Sequence, residues 1–234
     1  MRKLSEEKIA AERERLSAMH AVEKSLYAQG FEYVIGVDEV GRGPLCGPVT
    51  AAACILPRDC EILFLNDSKK LSEKKRELLY DEIKEKALAY GIASVSPARI
   101  DEINILQATF EAMREAVSTC CRRLVSEAPE AELPAKTEVS AIVLVDGDKQ
   151  IPKLPLPQQN LIKGDANALS VAAASILAKV TRDRLMYEYD SLYPGYEFGK
   201  NKGYGTKAHY EGLKTLGITP IHRRSFLKNL DLHE

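Results

Sequence analysis

Four acidic residues stand where apolar runs give way to turns or where a helix begins: Asp38, Glu39, Asp146 and Asp165. The run Val34-Ile35-Gly36-Val37 ends in Asp38-Glu39, and VSAIVLV at 139–145 ends in Asp146-Gly147-Asp148. Asp165 follows Lys163-Gly164 at the head of a helical stretch. In α/β proteins the ends of strands open onto a crevice, so side chains there face a ligand rather than the core. Carboxylates gathered in one place repel one another unless a cation neutralises them. Their hard oxygens favour Mg2+ or Mn2+ over zinc. Two such ions can activate a water and stabilise the leaving oxygen of an in-line phosphoryl displacement. That chemistry needs acids and no covalent nucleophile.

Each acid also has a plainer reading. An acid after an apolar run is commonly a solvated turn residue, and Asp165 stands where a helix cap would. Neighbours in a regular strand point to opposite faces. Asp38 and Glu39 therefore serve one site only if the pleating breaks there or if ions sit at the strand's very end. Asp148, after Gly147, reads as a turn residue. On one continuous helix Asp183 lies about 27 Å from Asp165 at ~1.5 Å per residue, too far to share an ion. It reads as structural, pairing with Arg182 or a neighbouring basic group.

The elements that must position these acids follow from periodicity. Residues 4–29 read as an amphipathic helix that Gly30 ends. Two strands, one ending in Asp38-Glu39 and one spanning Val49 to Leu56, flank a Gly/Pro-rich loop. After the polar link DSKKL at 67–71, Ser72 caps a helix that Gly91 stops. Ile92 to Ser96 reads as a short strand, and Pro97 opens a helix to about Ser126. Residues 127–138 read as a polar surface connection, and 139–145 as the most clearly buried strand. Asn160 to Ile162 is a short run before a long helix from Asn167 to about Tyr189. Its block Ala172-Ala173-Ala174-Ser175 permits close packing on a sheet. A short helix near 206–216 lies in a glycine-rich tail. Strands interleaved with helices imply an α/β fold with a mixed sheet. The division is an N-terminal helical extension over 1–30 and one domain over 31–234.

Composition narrows the class. Net charge is −1, so binding to a polyanion requires local clustering of cations rather than overall excess. Five cysteines without a C-x-x-C pair argue against a disulfide framework or a zinc site and suit a reducing cytosol. The N-terminus lacks the apolar core of a secretory signal. No apolar run approaches the roughly 20 residues of a membrane span. The expectation is a soluble cytoplasmic protein with no membrane partner.

Five segments, in this order, resemble the bacterial ribonuclease HII family: GVDEVGRGPLCGPV at 36–49, DSKKLS at 67–72, LVDGD at 144–148, KGDANALSVAAASILAKVTRD at 163–183 and NKGYGTKAHYEGL at 201–213. With the stretches between them they span most of the chain from about residue 33. The resemblance implies an RNase H-like fold, a central mixed sheet flanked by helices with a helical C-terminal portion. It implies that Asp38, Glu39, Asp146 and Asp165 form the catalytic, metal-binding set for Mg2+ or Mn2+. It further implies cleavage 5′ of ribonucleotides in RNA–DNA hybrids and of single ribonucleotides embedded in duplex DNA. The products would carry a 3′-hydroxyl and a 5′-phosphate, and the cellular role would be in ribonucleotide excision repair and DNA replication. A monomer is expected.

The same resemblance assigns ribose sensing to Gly41-Arg42-Gly43 and Tyr204. Glycine lets backbone groups approach a ligand closely, and the 2′-OH is what separates RNA from DNA at a given position. Tyr204 has an alternative as a packing aromatic with a wet tip. Phosphate contacts are expected from Ser68, Lys69 and Lys70 and from a basic tail of Lys200, Lys202, Lys207, Lys214, Arg223, Arg224 and Lys228. His222-Arg223-Arg224-Ser225-Phe226 either pins the tail or touches phosphate. His209 and His222 are left out of the catalytic set. Two rival readings stand: a ribonuclease HIII-like nuclease, for which about thirty residues before the first strand are too few to form the extra domain, and a non-catalytic hybrid-binding protein, which would not need all four acids.

Overall fold

A computed structural model describes residues 5–127 and 140–227. The connection expected over 127–138 lies almost entirely outside the described residues, as do Leu4, Val139 and Lys228. Two helices, α1 (Glu6–Met19) and α2 (Ala21–Ala28), lead into strand β1 (Tyr33–Val40) and strand β2 (Val49–Ile55). Helix α3 (Glu73–Lys86), strand β3 (Ala89–Val95) and helices α4 (Pro97–Ile103) and α5 (Ile105–Glu127) follow. Strands β4 (Ala141–Asp146) and β5 (Gln158–Leu161) complete the sheet. The chain then runs through α6 (Gly164–Asn167), α7 (Leu169–Leu192), α8 (Phe198–Asn201) and α9 (Lys207–Leu216).

The sheet order is β3-β2-β1-β4-β5. The β1–β2 and β2–β3 pairs are antiparallel, and the β1–β4 and β4–β5 pairs are parallel. This is the mixed α/β sheet expected. Alternation divides the strands between two cores. Ile35, Val37, Ala51, Ala53, Val143 and Val145 pack with α5 on one face. Ala52 and Cys54 pack with the Ala172–Ala174 block of α7 on the other.

Helix boundaries depart from the periodicity in four places, each with a local cause. The expected single helix over 4–29 bends at His20, because its halves bury different faces. Leu16 and Met19 join the α7 core, whereas Leu26 packs with Val34, Ile142 and Val171. Gly91 does not stop α3, which ends at Lys86; it sits within β3 directly under α5, where a Cβ would lie 2.1 Å from the Ala116 carbonyl oxygen. The helix expected from Pro97 breaks at Asn104, which has φ 67° and caps α5 by accepting from the Leu106 and Gln107 N–H groups. The long helix from Asn167 is α6 and α7, joined by the extended residue Ala168.

Helix α7 lies hard against β1. A Cβ on Gly36 would fall 2.1 Å from the Ser170 carbonyl carbon and 2.3 Å from the Val171 nitrogen. These are backbone atoms and cannot turn aside, so Gly36→Ala is expected to cost ~3 kcal/mol, the upper end of ordinary overpacking. Urea denaturation measures it; a loss below ~1 kcal/mol would show that α7 shifts freely on the sheet.

Candidate active site

The parallel pairing of β1 with β4 ends at Val37 and Val145, so Asp38, Glu39 and Asp146 project just beyond it. β1 stays regularly paired with β2 through Val40. The pleating therefore does not break, and the acids meet at the strand ends. Asp38 points to the α7 face, where the Ser175 hydroxyl lies against it and favours its charged form; one of its oxygens also accepts from the Glu39 N–H at 2.7 Å. Asp146 accepts from the Gly164 N–H at 2.6 Å, which ties β4 to the first residue of α6 and so to Asp165. Glu39 accepts from Arg42 at 3.3 Å.

The electrostatics show that the four acids form one cluster. Burial pushes the Asp38 carboxyl well above its ordinary range, and Glu39 and Asp146 push it further. Burial also raises Glu39, outweighing the opposing pull of Arg42. Asp165 is pushed up to about 6 by burial, with Asp67 and Asp146 adding to the effect. Burial alone would lower the Lys69 ammonium, but Asp38, Asp165, Asp67 and Asp146 together hold it above its usual value. A nest of carboxylates with raised affinity for positive charge, offering hard oxygens only, suits a hard divalent cation.

Asp67 was hidden in the sequence. Its position before Ser68-Lys69-Lys70 reads as a turn cap, and it does cap that turn by accepting from the Lys69 N–H at 2.8 Å. The same carboxyl reaches Asp165. Lys69 and Lys70 are exposed, but Ser68 is buried and accepts from the Ser175 hydroxyl at 2.8 Å. Its hydroxyl is engaged in the interior rather than presented to a phosphate.

The Gly41–Gly43 loop and Tyr204 lie against each other. A Cβ on Gly43 would meet the Tyr204 ring at 3.3 Å, and the ring is half exposed. Two buried arginines hold this wall. Arg223 donates to the carbonyls of Gly41, Arg42 and Gly47. Arg182 donates to those of Cys46, Pro48 and Lys202. Arg223 thus pins the loop and is buried away from solvent. Asp183 does not pair with Arg182. It binds Lys179 at 2.6 Å and lies 3.8 Å from Arg76, whose guanidinium holds the carbonyls of Ser68 and Leu71.

His209, His222 and Cys46 lie close enough for a metal among the described residues. Hydrogen bonds exclude that reading. The His222 Nδ1 accepts from the Thr219 N–H at 2.9 Å, so its proton is on Nε2. That proton is donated to His209 Nε2 at 3.0 Å, and His209 Nδ1 donates to the Tyr204 carbonyl at 3.0 Å. Every ring nitrogen is used, and the relay fixes the backbone of Tyr204.

The family model for ribonuclease HII matches residues 35–229. The chain belongs to the ribonuclease HII family. It is 55% identical to the ribonuclease HII of Lachnoclostridium phytofermentans over 96% of this chain and 81% of that protein. The ribonuclease H2 of Pyrococcus horikoshii shares the fold with a TM-score of 0.59 and 27% identity, covering 82% of this chain and 93% of that one. Bst-RNase HIII, solved in complex with Mn2+, shares the fold alone, with a TM-score of 0.54 and 20% identity; the match covers 72% of this chain and only 57% of that one. Family membership makes this chain a ribonuclease H, a hydrolase acting on RNA in RNA–DNA hybrids.

The histidine relay makes stability depend on pH. Burial, and then His209, lower the His222 pKa from its ordinary 6.5 to about 4. Between those values the unfolded chain binds a proton that the folded chain refuses, so acidification favours unfolding. In urea denaturation the stability gap between wild type and His222→Gln is expected to narrow from pH 6.5 towards 4. A gap constant across that window would refute the relay as drawn.

Proposed function

We propose that Asp38, Glu39, Asp146 and Asp165 hold the divalent ions of a ribonuclease that incises 5′ of a ribonucleotide, in RNA–DNA hybrids and at single ribonucleotides embedded in duplex DNA. The observation that carries this reading is the clustering of four acids at the ends of β1 and β4 and the start of α6, beside the Gly41–Gly43 loop. Mg2+ or Mn2+ fits the all-carboxylate donor set, and the Mn2+ complex of the structurally similar Bst-RNase HIII supports such use. When bound, the ions supply an activated water and charge stabilisation for the leaving oxygen.

The chain's own residues do the rest. Asp38 and Asp146 anchor the cation site from the two parallel strands, while Glu39 and Asp165 complete it from either side. Lys69 brings an ammonium to the acids' edge, where a scissile phosphate would lie, and Lys70 extends the cationic edge. The glycines at 41 and 43 let backbone groups of the loop reach a 2′-hydroxyl. Arg42, bound to Glu39, links that loop to the acids. Tyr204 lies against the loop and offers ring and hydroxyl to the ribose. Among the tail cations Lys200, Lys207, Lys214 and Arg224 are exposed and available to backbone phosphate, whereas Arg223 is not. The role fits removal of ribonucleotides from DNA by a cytoplasmic monomer.

Two measurements test this assignment on a duplex with one embedded ribonucleotide. Loss of charge stabilisation worth several kcal/mol predicts a fall in incision rate of about 10²–10³-fold for Asp146→Asn. A normal rate in that variant would remove Asp146 from the set. Tyr204→Ala should reduce incision about tenfold or more while duplex affinity changes by less than about threefold. Equal losses in both would make Tyr204 a packing residue.

A further inference from the structure

Helix α7 begins without a cap of its own. Its N-cap is Ala168, which has no side chain able to accept a hydrogen bond. The first N–H groups of a helix nonetheless need acceptors. Here the acceptor arrives from α2, far back in the chain. Glu23 takes hydrogen bonds from the Ser170 N–H and the Ser170 hydroxyl, both at 3.0 Å and both to the same oxygen. The side chain is 2% exposed, and among the described residues its other oxygen has no hydrogen-bond partner.

Adhesion does not explain this residue. Leu26 and Val22 already attach α2 to the body through apolar contacts. Burying a half-satisfied carboxyl is costly, and an apolar side chain would anchor the helix as well. What the carboxyl adds is the missing cap and a fixed position for Ser170. That residue is held on its other side by the backbone at Gly36. From Ser170 the constraint runs both ways. Upstream, Ala168 alone joins α7 to α6, and its N–H returns to the Gly164 carbonyl at 2.8 Å, beside Asp165. Downstream, Ser175 donates to Ser68 and lies against Asp38.

We propose that Glu23 is a positioning residue of the catalytic site: by capping α7 it sets Asp165 against Asp38 and Asp146. The first two helices are then part of the ion-binding apparatus and not an appendage. The inference rests on the metal set proposed above.

The test uses the full chain and compares wild type, Glu23→Ala, Glu23→Gln and Asp165→Asn well below their unfolding midpoints. Mn2+ affinity is read by calorimetry without substrate, and kcat and KM are read on the embedded-ribonucleotide duplex. A lost cap of ~1–2 kcal/mol felt at the site predicts Mn2+ binding about tenfold weaker in Glu23→Ala, with a similar fall in kcat and KM for the duplex unchanged. The amide oxygen of Glu23→Gln still accepts from Ser170, so that variant should restore both to within about threefold. Wild-type Mn2+ affinity and kcat in Glu23→Ala, with only the melting temperature lowered, would overturn the proposal. A rise in KM alone would also overturn it, showing that the helices contact the duplex instead. Should Glu23→Ala fail to fold, Ser170→Ala carries the test: it keeps the N–H bond, and a smaller loss of Mn2+ affinity is expected, with no loss overturning the idea. If Asp165→Asn binds Mn2+ like wild type, the metal set itself is wrong; if Asp165→Asn weakens binding and Glu23→Ala does not, only the clamp is.

Discussion

Where β1 passes under the start of α7, Gly36 leaves no space for a side chain, because a Cβ there would stand 2.1 Å from the Ser170 backbone. Much of the chemistry hangs on that contact. It seats α7 on the sheet so that Ser175 reaches Asp38, two residues along β1 from Gly36. It also places the α6–α7 junction beside the end of β4, where Asp146 accepts from Gly164. The small residues Ala172, Ala173 and Ala174 continue the approach, and all are fully buried. A longer side chain anywhere along this seam would lift the helix and separate Asp165 from the strand-borne acids. The seam is a packing constraint first and a catalytic one by consequence.

Loops cannot be positioned that way, since they carry little apolar surface to pack. Here buried guanidinium groups take over. Arg223 and Arg182 between them satisfy carbonyls from Gly41 to Pro48, and Arg76 does the same for Ser68 and Leu71. A planar guanidinium presents five donors in a fixed fork, so one side chain can fix several carbonyls at once. The glycine-rich loop is thereby fixed through its backbone. Tyr204 is set by the same economy of buried polar groups, through the relay from Thr219 to His222 to His209.

What the sequence revealed and what it concealed divide along physical lines. Local period and turn chemistry were enough to place β1, β2 and β4 and the acids at their ends. The mixed sheet followed from the same pattern. Boundaries failed where a tertiary contact overrode local preference. Gly91 looked like a helix stop and is a strand residue whose missing side chain admits α5. Asn104 broke a helix that periodicity ran through, by capping the next one. Asp67 looked like a turn cap and is one, which is why its second role beside Asp165 stayed invisible. Arg182, Arg223 and Glu23 were unreadable for a common reason. Each acts on backbone groups distant in sequence, and backbone carbonyls and N–H groups leave no trace in residue identity. The ribose-sensing role proposed for Gly41–Gly43 and Tyr204 was legible only through likeness to a family, since glycines and a tyrosine have many commoner uses.

The way the buried cations are used also explains why the acids are compensated only in part. Arg182 and Arg223 lie near the 41–48 loop, yet their donors go to neutral carbonyls and not to carboxylates. Lys179 is bound to Asp183 and does not turn towards Asp38. Among the described residues, Arg42 and Lys69 act on the cluster, and both reach it from the solvent side. Direct neutralisation by a buried arginine would have removed the raised proton affinities of Asp38, Glu39 and Asp165, and with them the electrostatic basis of the proposed ion site. The fold therefore bears the cost of like charges held together. It does so by clamping the elements that carry them from outside the cluster, through Gly36, Ser175 and Glu23, where the clamp adds no positive charge to the site.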